Sequence, residues 1–428
     1  MVFILSIIII NINQYINIKM IEDSELKTHQ ELGNQLKLFF TDDKSPGSAF
    51  FLPAGTILYN NLVNLMRSEY EKRGYQEVIT PVLFDKSLWE TSGHWDKYKE
   101  NMFVIEKHKN HNSEELTDEN KTIQLSCKAM NCPSHCLMFK HMNLSYRDLP
   151  LRLADFGVLH RNEFHGALKG LTRVRKFSQD DAHIFCRISQ IEKEIADTIK
   201  FIKFIYEKFN MKFKVGLSTR PEQYIGTIEL WDKCENILNN VLTNNFESYS
   251  INDADGAFYG PKLDFKVLDS INREHQLATI QLDFNLPERF KLEFKSEDGY
   301  EQPVMIHRAI LGSIERFIAI LLESGQGNIP LFVSPRQVAI LTVNDSKAMI
   351  DYALLVKKQL NDNGIKYVNF IDERDTISKK ILNTEVLHYN YIVVIGNKEI
   401  KNNTINVRGL GELSTDDFIK KVIEEMSI

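Results

Sequence analysis

The sequence predicts two folded units of different kind: an α+β unit with helices around an antiparallel sheet, then a small α/β unit. Three observations carry this. The chain has 428 residues, more than one hydrophobic core usually organises. Its middle is dense in strand patterns with few helices between them, the order expected of an antiparallel sheet. Past Ser334-Pro335 the pattern changes to alternating strand and helix, which implies a mainly parallel sheet. The expected divisions are an N-terminal segment over 1–44, the first unit over 45–332 and the second over 333–428.

Taken in order, 22–43 is polar and reads as a poorly packed entry segment or a helical lead-in. Ile57, Leu58, Leu62, Leu65 and Met66 recur at helical spacing within 54–72, and Arg73-Gly74 reads as that helix's end. The stretch 76–83 supplies β-branched residues interrupted by Pro81, which suits a sheet edge or a dimer contact. The charged stretch 105–121 reads as an exposed loop. A strand hairpin is expected from 151–160 and 170–185, a helix over 191–209, strands over 258–268 and 277–284, and a buried helix over 309–322. The second unit then runs through 338–343, 347–360, 366–370, 377–382 and 391–395.

A formal charge of -6 gives no sign of a polybasic tail, so any contact with nucleic acid must use local patches. The five cysteines are odd in number and form no C-x-x-C pair, which favours a reducing compartment. The apolar run from Val2 to Ile10 is too short to span a bilayer and lacks the features of a secretory signal or a typical transit peptide. No membrane contact is expected.

The densest cluster of reactive groups is His160-Arg161-Asn162-Glu163 followed by 173–183. Strand alternation would put Arg173, Arg175 and Phe177 on one surface with Gln179, Asp181 and His183. Guanidinium forks bond phosphate oxygens in pairs and an aromatic ring can stack on a base, so the cluster reads as a nucleotide site. A solvated, salt-bridged sheet face is the alternative. Cys132, His183 and His307 could bind a metal, since three protein ligands with one open position make a reactive zinc site. At this level a small buried cysteine and two satisfied histidines remain the stronger explanation.

Longer runs carry more. Met130-Asn131-Cys132-Pro133-Ser134-His135, the stretch LHRNEFHGALKGLTRVRKFSQDDAHIFC over 159–186, DGAFYGPKLDF over 255–265, ATIQLDF over 278–284 and MIHRAILGSIERF over 305–317 resemble, in order, the threonyl-tRNA synthetases, above all the short fungal mitochondrial form. The similarity covers nearly everything after Ser45. It implies a class II synthetase antiparallel sheet followed by an anticodon-binding domain, with the three class signatures around 74–81, 159–185 and 311–317. It also implies threonine--tRNA ligase activity: ATP activates L-threonine, and the product is transferred to tRNA(Thr).

The resemblance assigns Cys132, His183 and His307 to one Zn2+ per chain, and Mg2+ arrives with ATP. Arg161 would hold the α-phosphate and the threonine carboxylate, Glu163 the adenine amino group, and Arg173 and Arg316 the outer phosphates, with Phe177 stacked on adenine. Met130, Gln179, Asp181, Tyr259, Lys262 and Gln281 would line the threonine pocket with Arg161. His94 would assist transfer to the ribose, and Glu399 and Arg408 would contact the anticodon. Arg161, Arg316 and His94 form the implied catalytic set. The departures are Ala129, Ser134, Lys176 and Phe164-His165; none removes a ligand or phosphate contact. A homodimer is implied, in the mitochondrial matrix, with the cytoplasm as alternative. With so few residues before Ser45, no N-terminal editing domain is expected. A non-catalytic RNA-binding paralogue and a sister enzyme for serine or proline are disfavoured, because the phosphate and zinc residues are all present.

Overall fold

A computed structural model describes residues 26–107, 123–268, 273–372 and 374–427. The apolar run at 2–10 and most of the charged stretch expected as a loop lie outside them.

The fold is α+β. Its centre is a nine-stranded sheet in the order Ser250–Asn252, Phe213–Ser218, Lys262–Leu268, Glu274–Asp283, Val304–Ser313, Lys176–Cys186, Leu151–Asp155 and Gln76–Glu77, with Val158–His160 also on the Lys176–Cys186 strand. Pairing is antiparallel except at the two edge strands. Helices Pro53–Lys72, Ile191–Lys208 and Ile314–Gly325 pack on one face. The second of these shows why: Ile191, Ile195, Ile199, Ile202 and Ile205 recur every three or four residues and are fully buried. Each buried isoleucine contributes about 1.5–3 kcal/mol. Beneath them Arg308 pairs with Asp180 at 2.8 Å, both fully buried, with the guanidinium over the Tyr70 and Tyr75 rings.

A second core, from Leu331 to Val422, fills a five-stranded sheet in the order Val368–Phe370, Val338–Thr342, Tyr391–Ile395, Ile405–Val407 and Gly411–Leu413. The first three strands run parallel and the last two add antiparallel, so this sheet is mixed. Among the described residues, no helix is long and apolar enough to cross a membrane.

Several expectations need correction. Of the two readings of 22–43, the helical lead-in holds and the poorly packed segment does not: the helix His29–Gln35 is capped by Thr28, with Leu32 and Leu36 in the main core. Its tethers are long-range. His29 Nδ1 meets Glu323 at 2.7 Å, and its Nε2 accepts from Leu171 N at 3.0 Å. Leu36 O accepts from Arg336 at 2.7 Å, and Gln35 donates to Val386 O at 3.1 Å. The helix expected from residue 309 starts at Ile314; before it runs the strand Val304–Ser313. The switch is local: Gly312 takes φ +71°, which costs glycine little, and Ser313 Oγ caps the helix by accepting from Arg316 N at 3.0 Å. The strands expected from 170 and 258 begin only at Lys176 and Lys262, and the edge strand at 76–83 is just Gln76–Glu77. The helix Ile228–Asn245 carried no expectation.

Candidate active site

Sheet register builds the site. Leu153, His183, His307, Gln281 and Lys262 stand opposite one another on five neighbouring strands, and opposed residues share a face. Two residues along, Asp181 opposes Ala309, which opposes Thr279. This face lines a cavity of about 380 Å³, closed by Met130, Cys132, Tyr259, His94 and Arg161.

On its floor the ligand atoms of Cys132, His183 and His307 lie within 4.8 Å of one another, all three residues buried. Cys132 opens the helix Cys132–Met142, whereas the histidines come from adjacent strands. Each imidazole has one nitrogen engaged: His183 Nδ1 with His135 Nδ1 at 2.7 Å, and His307 Nε2 with Asp283 Oδ2 at 2.9 Å. The remaining nitrogens, with the sulfur, fit a metal. Burial, then Asp181, pushes the Cys132 thiol well up, and burial, then His135, pushes the His183 imidazole well down. Cys132 and His183 are therefore held uncharged by themselves, and a cation is what would draw off the thiol proton. One sulfur and two imidazole nitrogens with an open fourth position suit zinc.

Around the trio, Asp181 accepts from Asn131 Nδ2 at 3.0 Å, and Gln281 donates to Gly260 O at 3.1 Å. Burial pushes the Asp181 carboxyl and the Tyr259 hydroxyl up. Lys262 sits at the end of the row, bonded to Asp264 and 3.6 Å from Asp255, and is not among the residues lining the cavity. His94 is 3% exposed, with Nδ1 2.8 Å from Ser92 Oγ. Burial, followed by the charges of His307, Arg289 and Arg161, pushes its pKa down to about 3.

A second cavity of about 390 Å³ shares Arg161, Gln179, Thr279 and Ala309 with the first and adds Glu163, Arg173, Phe177 and Arg316. Arg161 lies 5.1 Å over the Phe177 ring. Arg316 is held by Thr172 O at 3.0 Å and Gln276 O at 3.3 Å; burial, then Arg161 and Arg173, pushes its pKa down. Three guanidinium groups around one cavity are built for a polyanion such as a triphosphate. Arg173 and Arg175 precede the strand, so alternation does not govern them. Arg175 instead bonds Glu163 O at 2.9 Å, away from the cavity lining.

Sequence reasoning missed Thr279, Gln276 and His135. Thr279 was findable: it stands two before Gln281 in a strand and so faces the same way. In the second unit Glu399 is 9% exposed and accepts from Gly396 N at 2.9 Å, while Arg408 is bonded to Glu385. A base contact at either would have to replace those partners.

Residues 112–325 match the family described as tRNA synthetase class II core domain (G, H, P, S and T), and 337–425 match the anticodon binding domain. These define a class II synthetase core with an anticodon-binding module. The chain is 50% identical over 396 residues to the cytoplasmic threonine--tRNA ligase of Saccharomyces cerevisiae, covering 92% of this chain and 52% of that protein. It thus spans about half the length of the curated relatives it matches. Among solved structures it is similar to the RNA binding domain of threonyl-tRNA synthetase from Cryptosporidium parvum Iowa II, with TM-score 0.86, 45% identity and coverage of 93% of this chain and 98% of that one. A putative threonyl-tRNA synthetase from Aeropyrum pernix gives TM-score 0.77 and 28% identity over 94% of this chain and 96% of that one. The chain belongs to the threonyl-tRNA synthetase family.

Proposed function

We propose that this chain is a threonine--tRNA ligase that selects its amino acid with one zinc ion. The carrying observation is the convergence of Cys132, His183 and His307 on the floor of one cavity, beside a second cavity edged by arginines. When bound, the zinc supplies a Lewis-acidic position that both the amine and the hydroxyl of threonine can reach. The chain's own residues do the rest. Arg161, common to both cavities, orients the threonine carboxylate toward the α-phosphorus of ATP. One carboxylate oxygen forms the new P–O bond as pyrophosphate leaves with its electron pair. Arg173, Arg316 and the Mg2+ that accompanies ATP balance the charge of the departing phosphates, so catalysis rests on alignment and electrostatics. Asp181 and Gln281 fix the amino-acid end, and Phe177 and Glu163 the adenine. In the second step the terminal tRNA ribose hydroxyl attacks the threonyl carbonyl and AMP departs, with neutral His94 positioned to help move the hydroxyl proton.

ATP–pyrophosphate exchange over a panel of amino acids, with metal analysis, tests this. Threonine is expected to give the fastest exchange, with one zinc per chain; preferred exchange with another amino acid, or a fully active zinc-free chain, overturns it. His183→Ala should lose both metal and exchange.

The finer readings are proposals too. A homodimer is supported by the edge strand Gln76–Glu77 and by Ile79, 91% exposed, with Val82 and Leu83 also exposed beside it. Preformed Ser-tRNA is proposed not to be hydrolysed by these 428 residues; enzyme-dependent deacylation above the spontaneous rate overturns that. The location is proposed as the mitochondrial matrix, with the cytoplasm, the word in the yeast relative's name, as the second reading. Cell fractionation separates the two.

A further inference from the structure

We propose that His135 is a positioning residue for the metal centre, holding the His183 ring in the orientation and tautomer that turn its Nε2 toward Cys132 and His307. This rests on the zinc reading above and adds a residue outside the ligand set.

The two imidazoles meet Nδ1 to Nδ1 at 2.7 Å, with ring centroids 4.7 Å apart and planes at 85°. His135 is fully buried, and it stands three residues after Cys132, close to one turn along the same helix. One helical face thus offers a ligand and, a turn later, a support for a second ligand carried by the neighbouring strand.

A single hydrogen lies between the two Nδ1 atoms, so one ring donates and the other accepts. A neutral histidine that ligates through Nε2 carries its proton on Nδ1, so His183 must be the donor. His135 must then accept at Nδ1 and carry its own proton on Nε2. That atom is buried, makes no hydrogen bond within 3.5 Å, and lies 3.8 Å from Asp155 Oδ2, a carboxylate suited to receive it. The reverse arrangement fails at both ends. It would turn a lone pair of His135 toward the Asp155 carboxylate and put the His183 proton on the nitrogen needed for the metal.

Asp155 is itself fixed. Its Oδ2 accepts from Thr80 Oγ1 at 2.7 Å and lies 3.4 Å from Lys128 Nζ, and that ammonium also reaches Thr80 Oγ1 at 2.7 Å. Gly157 leaves room for this: a Cβ there would lie 2.3 Å from Lys128 Nζ and 2.9 Å from Asp155 Oδ1. His307 is supported differently, by Asp283 directly, whose Oδ1 accepts from Asn285 N and Leu286 N. The two ligating rings would therefore offer opposite nitrogens, Nε2 from His183 and Nδ1 from His307. Only His183 has a second imidazole between itself and its carboxylate.

The test is zinc affinity by competition with a chromogenic chelator, together with the visible spectrum of the cobalt-substituted protein and the melting temperature with and without zinc. His135→Ala is expected to fold and to bind zinc about 10- to 100-fold more weakly, with an altered cobalt spectrum. His135→Gln, whose amide oxygen can accept from His183, should recover part of that loss. A purely structural role would instead lower both melting temperatures and leave affinity within twofold, which overturns the proposal, as does a glutamine variant no better than alanine. Should His135→Ala fail to fold, Asp155→Asn decides: affinity severalfold weaker supports the relay, and unchanged affinity sinks it. A wild-type chain that binds no zinc overturns the metal reading itself, an outcome distinct from all of these.

Discussion

The Glu163 carboxylate and the Arg173 guanidinium are bonded to each other across the second cavity, with Arg173 Nε at 2.9 Å and Nη2 at 2.8 Å from the same Glu163 oxygen. Both are proposed to hold ATP, at opposite ends of the nucleotide. Binding therefore exchanges one internal ion pair for separate contacts to base and phosphate.

That pair is more than half exposed at Arg173, so it adds only about 0–1 kcal/mol to stability. A charge-assisted bond to a phosphate is worth about 1.5–3 kcal/mol. Arg173→Ala is accordingly expected to raise the KM for ATP roughly tenfold to a hundredfold and to move the melting temperature by no more than about 2 °C. Exchange kinetics at varied ATP with a thermal melt check both, and an unchanged KM removes Arg173 from the nucleotide site.

Serine offers the same amine and hydroxyl as threonine and lacks one methyl, a difference of about 1–3 kcal/mol. Its activation is expected about 10- to 200-fold below that of threonine. Valine keeps the shape and loses the hydroxyl, which leaves the proposed metal short of a ligand, so its exchange should lie far lower still. Valine outrunning serine would mean that shape, not the metal, selects.

His94 sets a pH dependence of stability. Its folded pKa, about 3, lies below the ordinary histidine value of 6.5. The unfolded chain therefore takes up a proton that the folded chain refuses, and stability falls as pH drops from about 6.5 toward 3, by up to about 1.4 kcal/mol per pH unit. The contribution is fully present above that window. In urea melts, the stability advantage of wild type over His94→Gln should narrow on acidification below pH 6.5; a constant gap contradicts the assignment.

Ile79→Asp is expected to weaken the proposed dimer, because it puts a charge in the exposed apolar strip of Ile79, Val82 and Leu83. Sedimentation velocity should shift toward monomer with the circular dichroism spectrum unchanged. A dimer of wild-type affinity would move the interface elsewhere.

Long periodic elements were legible in the sequence. The isoleucine stripe of Ile191–Lys208 and the alternation after Ser334-Pro335 each identify an element from its own residues. What the residues alone could not supply was register. Nothing local says that His183 opposes His307 and that His307 opposes Gln281, because that row is set by pairing between strands far apart in sequence. The family resemblance supplied those groupings instead. The apolar run before Ser313 failed as a helix for a related reason: a fully buried strand and a buried helix look alike until the break at Gly312 is known. For the helix His29–Gln35 the sequence left a helical lead-in and a poorly packed segment both open, because its polar residues serve distant partners rather than solvent.

That helix also governs how the molecule should come apart. Through His29 it grips Leu171 and Glu323 of the first unit, and through Leu36 and Gln35 it grips Arg336 and Val386 of the other. Two cores joined by a plain linker would melt independently, whereas cores sharing a buried strut tend to melt as one. Calorimetry should give a single endotherm for this chain, and removing the residues ahead of Leu38 should split it in two.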